Sequence, residues 1–174
     1  MPDNSKIHYA GRYLGMRERD GWEYTYRTNA SGVVVLVPIT DNDELVLVEQ
    51  YRLPVESTVL ELPAGLVGDT DDKDEPIILA ARRELLEETG FEARHLEELM
   101  TSPSSPGLTD EMITIYYASG LHRSGPGGGD ASEDITVHVV KLDEAAQWLE
   151  TRKQEGIMID PKIYAGLYWA HQRT

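Results

Sequence analysis

Three glutamates lie on one side of a single predicted helical turn in residues 83–90, which read Arg-Glu-Leu-Leu-Glu-Glu-Thr-Gly. At about 100° per residue, Glu84, Glu87 and Glu88 fall within an arc of roughly 100°. Like charges at positions i and i+4 destabilise a helix by a few tenths of a kcal/mol, and a divalent cation removes that repulsion. The pattern therefore indicates either a metal-binding helix, typical of a metal-dependent hydrolase, or a solvated acidic face.

The helix that carries these glutamates is predicted to span about residues 76–89. A proline in its first turn and Gly90 just past its end are the termini expected of a helix. Ile78, Ala81 and Leu85 form an apolar stripe beside the acidic one. We expect that stripe to pack on the protein core.

The residues around the acidic helix fit a longer pattern. From Gly65 to Phe91 the chain reads G-x9-E-x7-R-E-L-L-E-E-T-G-F, in which the first glutamate is Glu75 and the arginine is Arg83. This resembles the signature of the Nudix hydrolases, G-x5-E-x7-R-E-U-x-E-E-x-G-U, where U is aliphatic or aromatic. Every specified position from Glu75 onward matches, and the interval before Glu75 is four residues longer. We interpret those extra residues as a longer loop ahead of the helix.

The resemblance implies a metal site for Mg²⁺, with Mn²⁺ as the alternative. Glu84 and Glu88 are the implied ligands, with Glu87 a third ligand directly or through water. In the related ADP-ribose pyrophosphatases a backbone carbonyl also binds metal, and here that carbonyl belongs to Ala64. Hard oxygen ligands suit both ions. Arg83 is interpreted as holding the carboxylates with its planar fork; the alternative is an exposed helix arginine.

Other segments resemble the ADP-ribose pyrophosphatases in particular. The resemblance implies that Trp22 stacks on the nucleobase, that Glu23 binds its amino group, and that Arg27 and Arg52 hold the diphosphate. Stacking contributes about 1–3 kcal/mol per base, and arginine matches phosphate oxygens bidentately. The alternatives are a packing role for Trp22 and surface ion pairs for the two arginines. The matching segments are residues 22–27, 49–52, 61–65, 105–111 and 133–140.

A general base is expected just before a late strand, and Glu133 is the residue that aligns with the base of related enzymes. Glu133 is also counted among the metal ligands. The predicted catalytic set is Glu133, Glu87 and Arg83. Asp130 is an alternative base, and Glu111 or Glu87 would follow if both were wrong. The five histidines do not cluster along the sequence and receive no role.

The remaining sequence predicts strands mixed with helices. Residues 122–134 are rich in glycine and serine and are predicted to be a flexible loop. We expect residues 127–129 to act as a hinge rather than a phosphate cradle, because no helix follows them. Strands are predicted as a pair within 9–28 turning near 20–21, and at 33–38, 45–51, 58–62, 112–119 and 135–142, with a turn at 63–65 and helices at 143–154 and 161–171.

The predicted fold class is α/β. The resemblance makes it specific: a Nudix fold, an α/β/α sandwich with a mixed sheet, plus N-terminal antiparallel strands used in dimerisation. We expect one Nudix domain over residues 1–174, in which about 1–30 are the N-terminal strands, exchanged between subunits, and about 31–174 are the catalytic core. A chain of 174 residues has the common size of one domain.

Composition limits the compartment and the partners. The chain has no cysteine, which favours a reducing compartment. Its longest apolar run, residues 33–39, is too short to span a bilayer, so we expect a cytoplasmic protein. The net charge of −15 argues against nucleic acid or an anionic membrane as a partner. The expected partners are a nucleoside diphosphate sugar and a second copy of the chain.

The resemblance therefore implies a Mg²⁺-dependent diphosphatase that cleaves ADP-ribose or a nucleotide sugar into a nucleoside monophosphate and a sugar phosphate. Two alternatives stay open. One is a related hydrolase of another diphosphate, such as GDP-mannose or a dinucleoside polyphosphate. The other is a non-catalytic sensor of nucleotide sugars, which would be indicated by loss of a carboxylate from the motif; all of them are present.

Overall fold

The structure is a computed structural model that describes residues 4–69, 72–129 and 133–173. Within those residues it has eleven strands, three α-helices and one 3-10 helix at Leu53–Val55. The strands are β1 (Lys6–Ala10), β2 (Leu14–Arg19), β3 (Trp22–Arg27), β4 (Gly32–Pro38), β5 (Glu44–Arg52), β6 (Ser57–Glu61), β7 (Ala64–Val67), β8 (Phe91–Pro103), β9 (Met112–Arg123), β10 (Thr136–Lys141) and β11 (Met158–Ile159). The helices are α1 (Ile77–Thr89), α2 (Ala145–Gln154) and α3 (Lys162–His171).

The strands of the described residues form three sheets. The N-terminal sheet is antiparallel with the order β1-β2-β3, and its β2–β3 turn at Asp20 and Gly21 has φ values of 53° and 81°, as a tight hairpin requires. The other two have the orders β10-β5-β6-β11 and β7-β4-β9-β8. Each is mixed, because β11 runs parallel to β6 and β9 parallel to β4.

Strand β4 is buried on both faces and separates two cores. Val34 and Leu36 pack with α1, whereas Val35 and Val37 pack with β5, β6, α2 and α3. An uninterrupted apolar strand is what a doubly covered position needs. The sheet of β4 is thus covered by α1 on one face and by the second sheet and the C-terminal helices on the other. The predicted mixed α/β sandwich is confirmed, as are the N-terminal antiparallel strands.

Helix α1 forms where predicted and ends at Gly90, whose φ is 75°. The predicted apolar stripe is wrong at one position, since Ile78 is 39% exposed. The buried face consists instead of Ala80, Ala81, Glu84, Leu85, Glu88 and Thr89. Glu84 and Glu88 are buried at positions where a hydrophobic pattern would require aliphatic residues. The pattern therefore predicted the wrong buried face. A fully solvated acidic face is excluded.

Several strands were absent from the sequence predictions. Residues 63–65 were predicted as a turn, but Ala64 begins β7, which pairs with β4. Strand β8 was missed because its side chains are mostly polar and exposed; β9 supplies its order through a long antiparallel ladder. Most of β1 was missed because its side chains are exposed throughout, and β11 was missed because two residues are too few to show a pattern.

None of the helices in the described parts of the chain is both long enough and apolar enough to cross a membrane.

Candidate active site

A cavity of about 410 Å³ lies where β3, β5 and β7 meet α1 and the start of α3. We call it the central cavity. It brings together most of the predicted site residues, with Ala64 in its wall; Glu88 does not line it and is buried against the backbone N–H of Ala64. The charged side chains that line it, among those described, are Arg27, Arg52, Arg83, Lys162, Glu61, Asp69, Glu84, Glu87, Glu111 and Glu133.

Arg83 organises the acidic residues of the motif. Its Nε and Nη2 donate to the two carboxylate oxygens of Glu75, each at 3.1 Å. Its Nη1 donates to Glu84 at 2.7 Å and to Glu87 at 3.2 Å, and Nη2 also donates to the Leu66 carbonyl at 3.1 Å. These bonds, above all those to Glu75, raise the pKa of Arg83 further above its usual range. Arg83 therefore has the geometry of a residue that holds carboxylates in place.

Glu75 occupies its motif position despite the longer loop before it. The backbone N–H of Gly68 donates to its carboxylate at 3.4 Å, and the bidentate bond to Arg83 fixes it on the other side. The guanidinium of Arg83 lowers the pKa of Glu75. The longer interval before Glu75 therefore does not displace its carboxylate from Arg83.

The carboxylate of Glu84 lies directly over Gly65. A Cβ atom at Gly65 would stand 1.9 Å from the carboxylate carbon of Glu84, so any side chain there would expel it. Glu84 is only 8% exposed, and burial raises its pKa to about 7. The glycine at the start of the motif is thus explained by close approach of a carboxylate.

Glu88 is 3% exposed and accepts a hydrogen bond of 3.0 Å from the backbone N–H of Ala64. Burial, and then the neighbouring charges of Glu84 and Glu133, raise its pKa to about 8. An ionised carboxylate at such a site is costly unless a cation compensates it. The donor set of Glu84, Glu87, Glu88 and the Ala64 carbonyl consists of hard oxygens, and it therefore fits Mg²⁺ or Mn²⁺.

The motif glutamates do not converge on a single point. Arg83 holds Glu84 and Glu87, whereas Glu88 faces a backbone N–H. Over the described residues, three potential ligand atoms lie within 4.8 Å of one another in a different place, at His8, Glu18 and Glu23 of the N-terminal sheet. His8, Glu18 and Glu23 lie together because β2 pairs with both β1 and β3.

Arg27 and Arg52 both line the central cavity, and each is oriented by a glutamate. The Nε of Arg27 donates to Glu111 and the Nε of Arg52 donates to Glu61, both at 2.7 Å. Each of these bonds uses one of the five guanidinium N–H donors. Both glutamates lie inside the segments that resemble the pyrophosphatases. Their role in orienting the cavity arginines is visible only in the structure.

Trp22 and Glu23 lie outside the central cavity. Trp22 is 64% exposed and lines a separate surface depression with Glu18, Glu23 and Gly107. The N-terminal sheet is attached nearby through β3, since the Thr25 N–H donates to the Leu108 carbonyl at 2.9 Å. Within one chain, therefore, these two residues are not brought together with Arg27 and Arg52.

Lys162 lines the central cavity and was missed by sequence reasoning. It is the first residue of α3, and its Nζ lies 2.5 Å from Asp160, which also accepts the Lys162 N–H at 2.7 Å. No motif surrounds it, and it is distant in sequence from every other described residue that lines the cavity. Only the packing of α3 against β4 and β6 brings this cation to the site.

Glu133 lines the same cavity as Glu84 and Glu87. The alternative base Asp130 lies outside the described residues. The flexible loop predicted from residue 122 starts later than expected, because His122 and Arg123 belong to β9. Residues 124–129 are hydrogen-bonded to the end of α1, so this part of the predicted loop is anchored.

The chain belongs to the NUDIX domain family, whose model matches residues 30–160. The methanol dehydrogenase activator of Bacillus methanolicus is 38% identical over 123 residues, and the ADP-ribose pyrophosphatase of Bacillus subtilis (strain 168) is 33% identical over 123 residues. Each alignment covers 70% of this chain and 64% of the relative, so the chain spans just under two thirds of their length. A solved ADP compounds hydrolase superposes with a TM-score of 0.71 at 25% identity, covering 97% of this chain and 90% of that one.

Proposed function

We propose that this protein hydrolyses the diphosphate linkage of ADP-ribose or another nucleoside diphosphate sugar, giving a nucleoside monophosphate and a sugar phosphate. One observation carries the proposal: the motif carboxylates Glu84 and Glu87, the arginines Arg27 and Arg52, and Glu133 all face one cavity. That set combines cation ligands, phosphate-binding groups and a carboxylate that can accept a proton. The pyrophosphatase and the ADP compounds hydrolase among its relatives support the same substrate class.

The proposed cofactor is Mg²⁺, with Mn²⁺ as the alternative. Glu84, Glu87, Glu88 and the Ala64 carbonyl would hold it, and it would polarise the phosphate and acidify a water molecule. Acidic side chains outnumber basic ones around the cavity among the described residues, so an anionic substrate needs added positive charge there. Arg83 fixes the carboxylates before any ligand arrives, which removes part of the cost of ordering the site.

Arg27 and Arg52 are proposed to grip the diphosphate with the N–H groups that their glutamates leave available. Glu133 is proposed to take the proton of the attacking water on a carboxylate oxygen. A glutamate in this role contributes about 10²–10⁴-fold to the rate. Its place on the wall of the cavity that Glu84 and Glu87 also line supports the assignment.

Trp22 and Glu23 are proposed to bind the base in a homodimer. The N-terminal sheet and its connections expose Trp22 together with Ile7, Tyr9, Tyr13 and Leu14. A second copy that covers this apolar surface would bring its own Trp22 towards a neighbouring cavity. A cytoplasmic location, proposed from the short apolar runs together with the lack of cysteine, is consistent with a nucleotide-sugar substrate.

The test is a panel of ADP-ribose, nucleotide sugars, GDP-mannose and dinucleoside polyphosphates, incubated with Mg²⁺ or Mn²⁺, with release of phosphomonoesters as the readout. We expect turnover of ADP-ribose or a nucleotide sugar that EDTA abolishes. Hydrolysis of only GDP-mannose or dinucleoside polyphosphates would show that the protein is a hydrolase of those diphosphates instead. Tight binding without turnover would support a sensor instead.

The role of Glu133 is tested by Glu133→Gln, for which we expect kcat to fall by about 10²-fold or more with little change in KM. Asp134→Asn is the matched control, since that exposed neighbour does not line the central cavity. Asp130→Asn should be milder than Glu133→Gln. A severe Asp130→Asn beside a silent Glu133→Gln would move the base to Asp130, and two silent variants would move it to Glu87 or Glu111.

A second candidate function is favoured by the relative named a methanol dehydrogenase activator, which is 38% identical over 123 residues. The protein would then act on the activity of a dehydrogenase. Adding it to a methanol dehydrogenase assay with Mg²⁺ tests this, and Glu88→Gln shows whether any activation needs the carboxylate site. An unchanged dehydrogenase rate would exclude this candidate.

A further inference from the structure

The segment that follows β9 is attached by its backbone to the end of the helix that carries the motif. The N–H groups of Ser124 and Gly125 both donate to the Gly90 carbonyl, at 2.9 and 3.1 Å. Gly90 in turn ends α1 in a left-handed conformation. The first turn after β9 is therefore tied to the C-terminus of α1.

Two further bonds reach the motif glutamates themselves. The Gly128 N–H donates to the Glu88 carbonyl at 2.8 Å, and the Gly129 N–H donates to the Glu87 carbonyl at 3.0 Å. The last four carbonyls of a helix have no partner within the helix. The loop supplies partners for two of them, and both belong to proposed metal ligands. These N–H groups are engaged by the helix, so they do not form a phosphate cradle.

Only glycine permits this arrangement at two positions. At Gly127, with φ of 71°, a Cβ atom would stand 2.5 Å from the backbone carbonyl carbon of Thr89. At Gly129, with φ of 81°, it would stand 2.4 Å from a carboxylate oxygen of Glu133 and 2.7 Å from the Glu133 Cβ. A side chain at Gly127 would lift the loop from the helix, whereas one at Gly129 would displace Glu133.

We propose that Gly127 and Gly129 are positioning residues that set the Glu133 carboxylate at a fixed place relative to Glu87 and Glu88. The glycine-rich segment 124–129 is thus hydrogen-bonded to α1 and supports Glu133 from there. This inference rests on the proposed function, in which Glu133 receives the proton. Catalytic groups need to be held within about 0.5 Å of their productive geometry. Backbone hydrogen bonds that fix the proposed base relative to the proposed metal ligands should therefore raise kcat.

The kinetic test compares Gly129→Ala with Gly156→Ala. Gly156 has φ of 89°, and a Cβ atom added there would meet no described atom within 4 Å, so its substitution carries the same backbone penalty without a clash. We expect Gly129→Ala to lower kcat at least about 10-fold with KM nearly unchanged, and Gly156→Ala to keep wild-type kcat. Equal kcat values for the two variants would overturn the proposal.

A double-mutant cycle shows whether Gly129 acts through Glu133. Mutations that share one pathway are not additive, so Gly129→Ala should cause no further loss of kcat in a Glu133→Gln background. A loss as large as in the wild-type background would mean that the substitution disturbs something other than Glu133, and would refute the positioning role.

Amide hydrogen exchange of ¹⁵N-glycine-labelled protein gives a readout that needs no substrate. We expect the Gly128 and Gly129 amides to exchange as slowly as those of α1, and Gly127→Ala to accelerate both. Fast exchange in an active wild-type enzyme would refute the attachment of segment 124–129 to α1 but leave the proposed function intact. Protected amides in a wild type that turns over no diphosphate would support the attachment and refute the proposed function.

Discussion

Replacing Glu88 by glutamine is expected to stabilise the protein in the presence of EDTA and to remove most of its activity. Glu88 is 3% exposed, and its pKa is raised to about 8 chiefly by burial. The substitution keeps an oxygen that accepts the Ala64 N–H bond of 3.0 Å. It removes a charge that burial disfavours, which should raise stability. A divalent cation requires the same charge, so its loss should lower activity.

The stability gain follows from the cost of keeping Glu88 neutral. Relative to its ordinary pKa of 4.5, a glutamate held protonated at pH 7 costs about 3 kcal/mol, at about 1.36 kcal/mol per pKa unit. Glutamine is neutral without that cost. We therefore expect Glu88→Gln to raise the free energy of unfolding by about 1–3 kcal/mol, and to lower kcat by about 10²-fold or more, as loss of a transition-state electrostatic contact does.

The unfolding free energy is measured by urea titration at pH 7 with EDTA, and kcat by release of phosphomonoesters with saturating Mg²⁺. Glu150→Gln is the control, because Glu150 is an exposed helical glutamate whose ion pair with Lys153 lies on the surface. That pair should change stability by less than about 1 kcal/mol. Near-normal turnover, or a variant clearly less stable than wild type in EDTA, would refute this account of Glu88.

Three further predictions concern pH, base recognition and the motif arginine. Because the folded-state pKa values of Glu84 and Glu88 are raised from 4.5 to about 7 and about 8, the folded state binds more protons, and in EDTA the unfolding free energy should fall between pH 5 and pH 8. Mg²⁺ affinity, followed by calorimetry, should rise over the same interval, since ligands must be deprotonated; a flat profile would contradict both statements. Trp22→Ala should raise KM by the equivalent of about 1–3 kcal/mol with little change in kcat, whereas loss of a dimer in sedimentation would indicate a packing role. Arg83→Lys keeps the charge but cannot reproduce the bidentate bond to Glu75, so kcat and the urea midpoint should both fall; an unchanged midpoint would mean that Arg83 does not hold the carboxylates.

Local patterns were sufficient for the features that depend on neighbouring residues. Helix α1, its end at Gly90 and the close set of Glu84, Glu87 and Glu88 are all contained in one short stretch of chain, where helical geometry alone relates the side chains. The hairpin at Asp20 and Gly21 was predictable for the same reason, because positive φ values favour those residues.

The hydrophobic pattern failed where burial does not follow residue type. It placed Ile78 in the core and could not foresee that two glutamates occupy the buried face of α1. It also missed β8, because a polar strand is ordered by its ladder with β9 and not by its own periodicity.

Sequence alone therefore determined the family, the helix that carries the motif and the identity of the motif carboxylates, because all three depend on residues that are close together in the chain. Tertiary structure alone decided how they are held. Arg27 meets Glu111 across 84 residues, Lys162 reaches the cavity through the packing of α3, and Gly128 binds the end of α1. Such contacts depend on which surfaces the two cores bring together, and no local spacing encodes them.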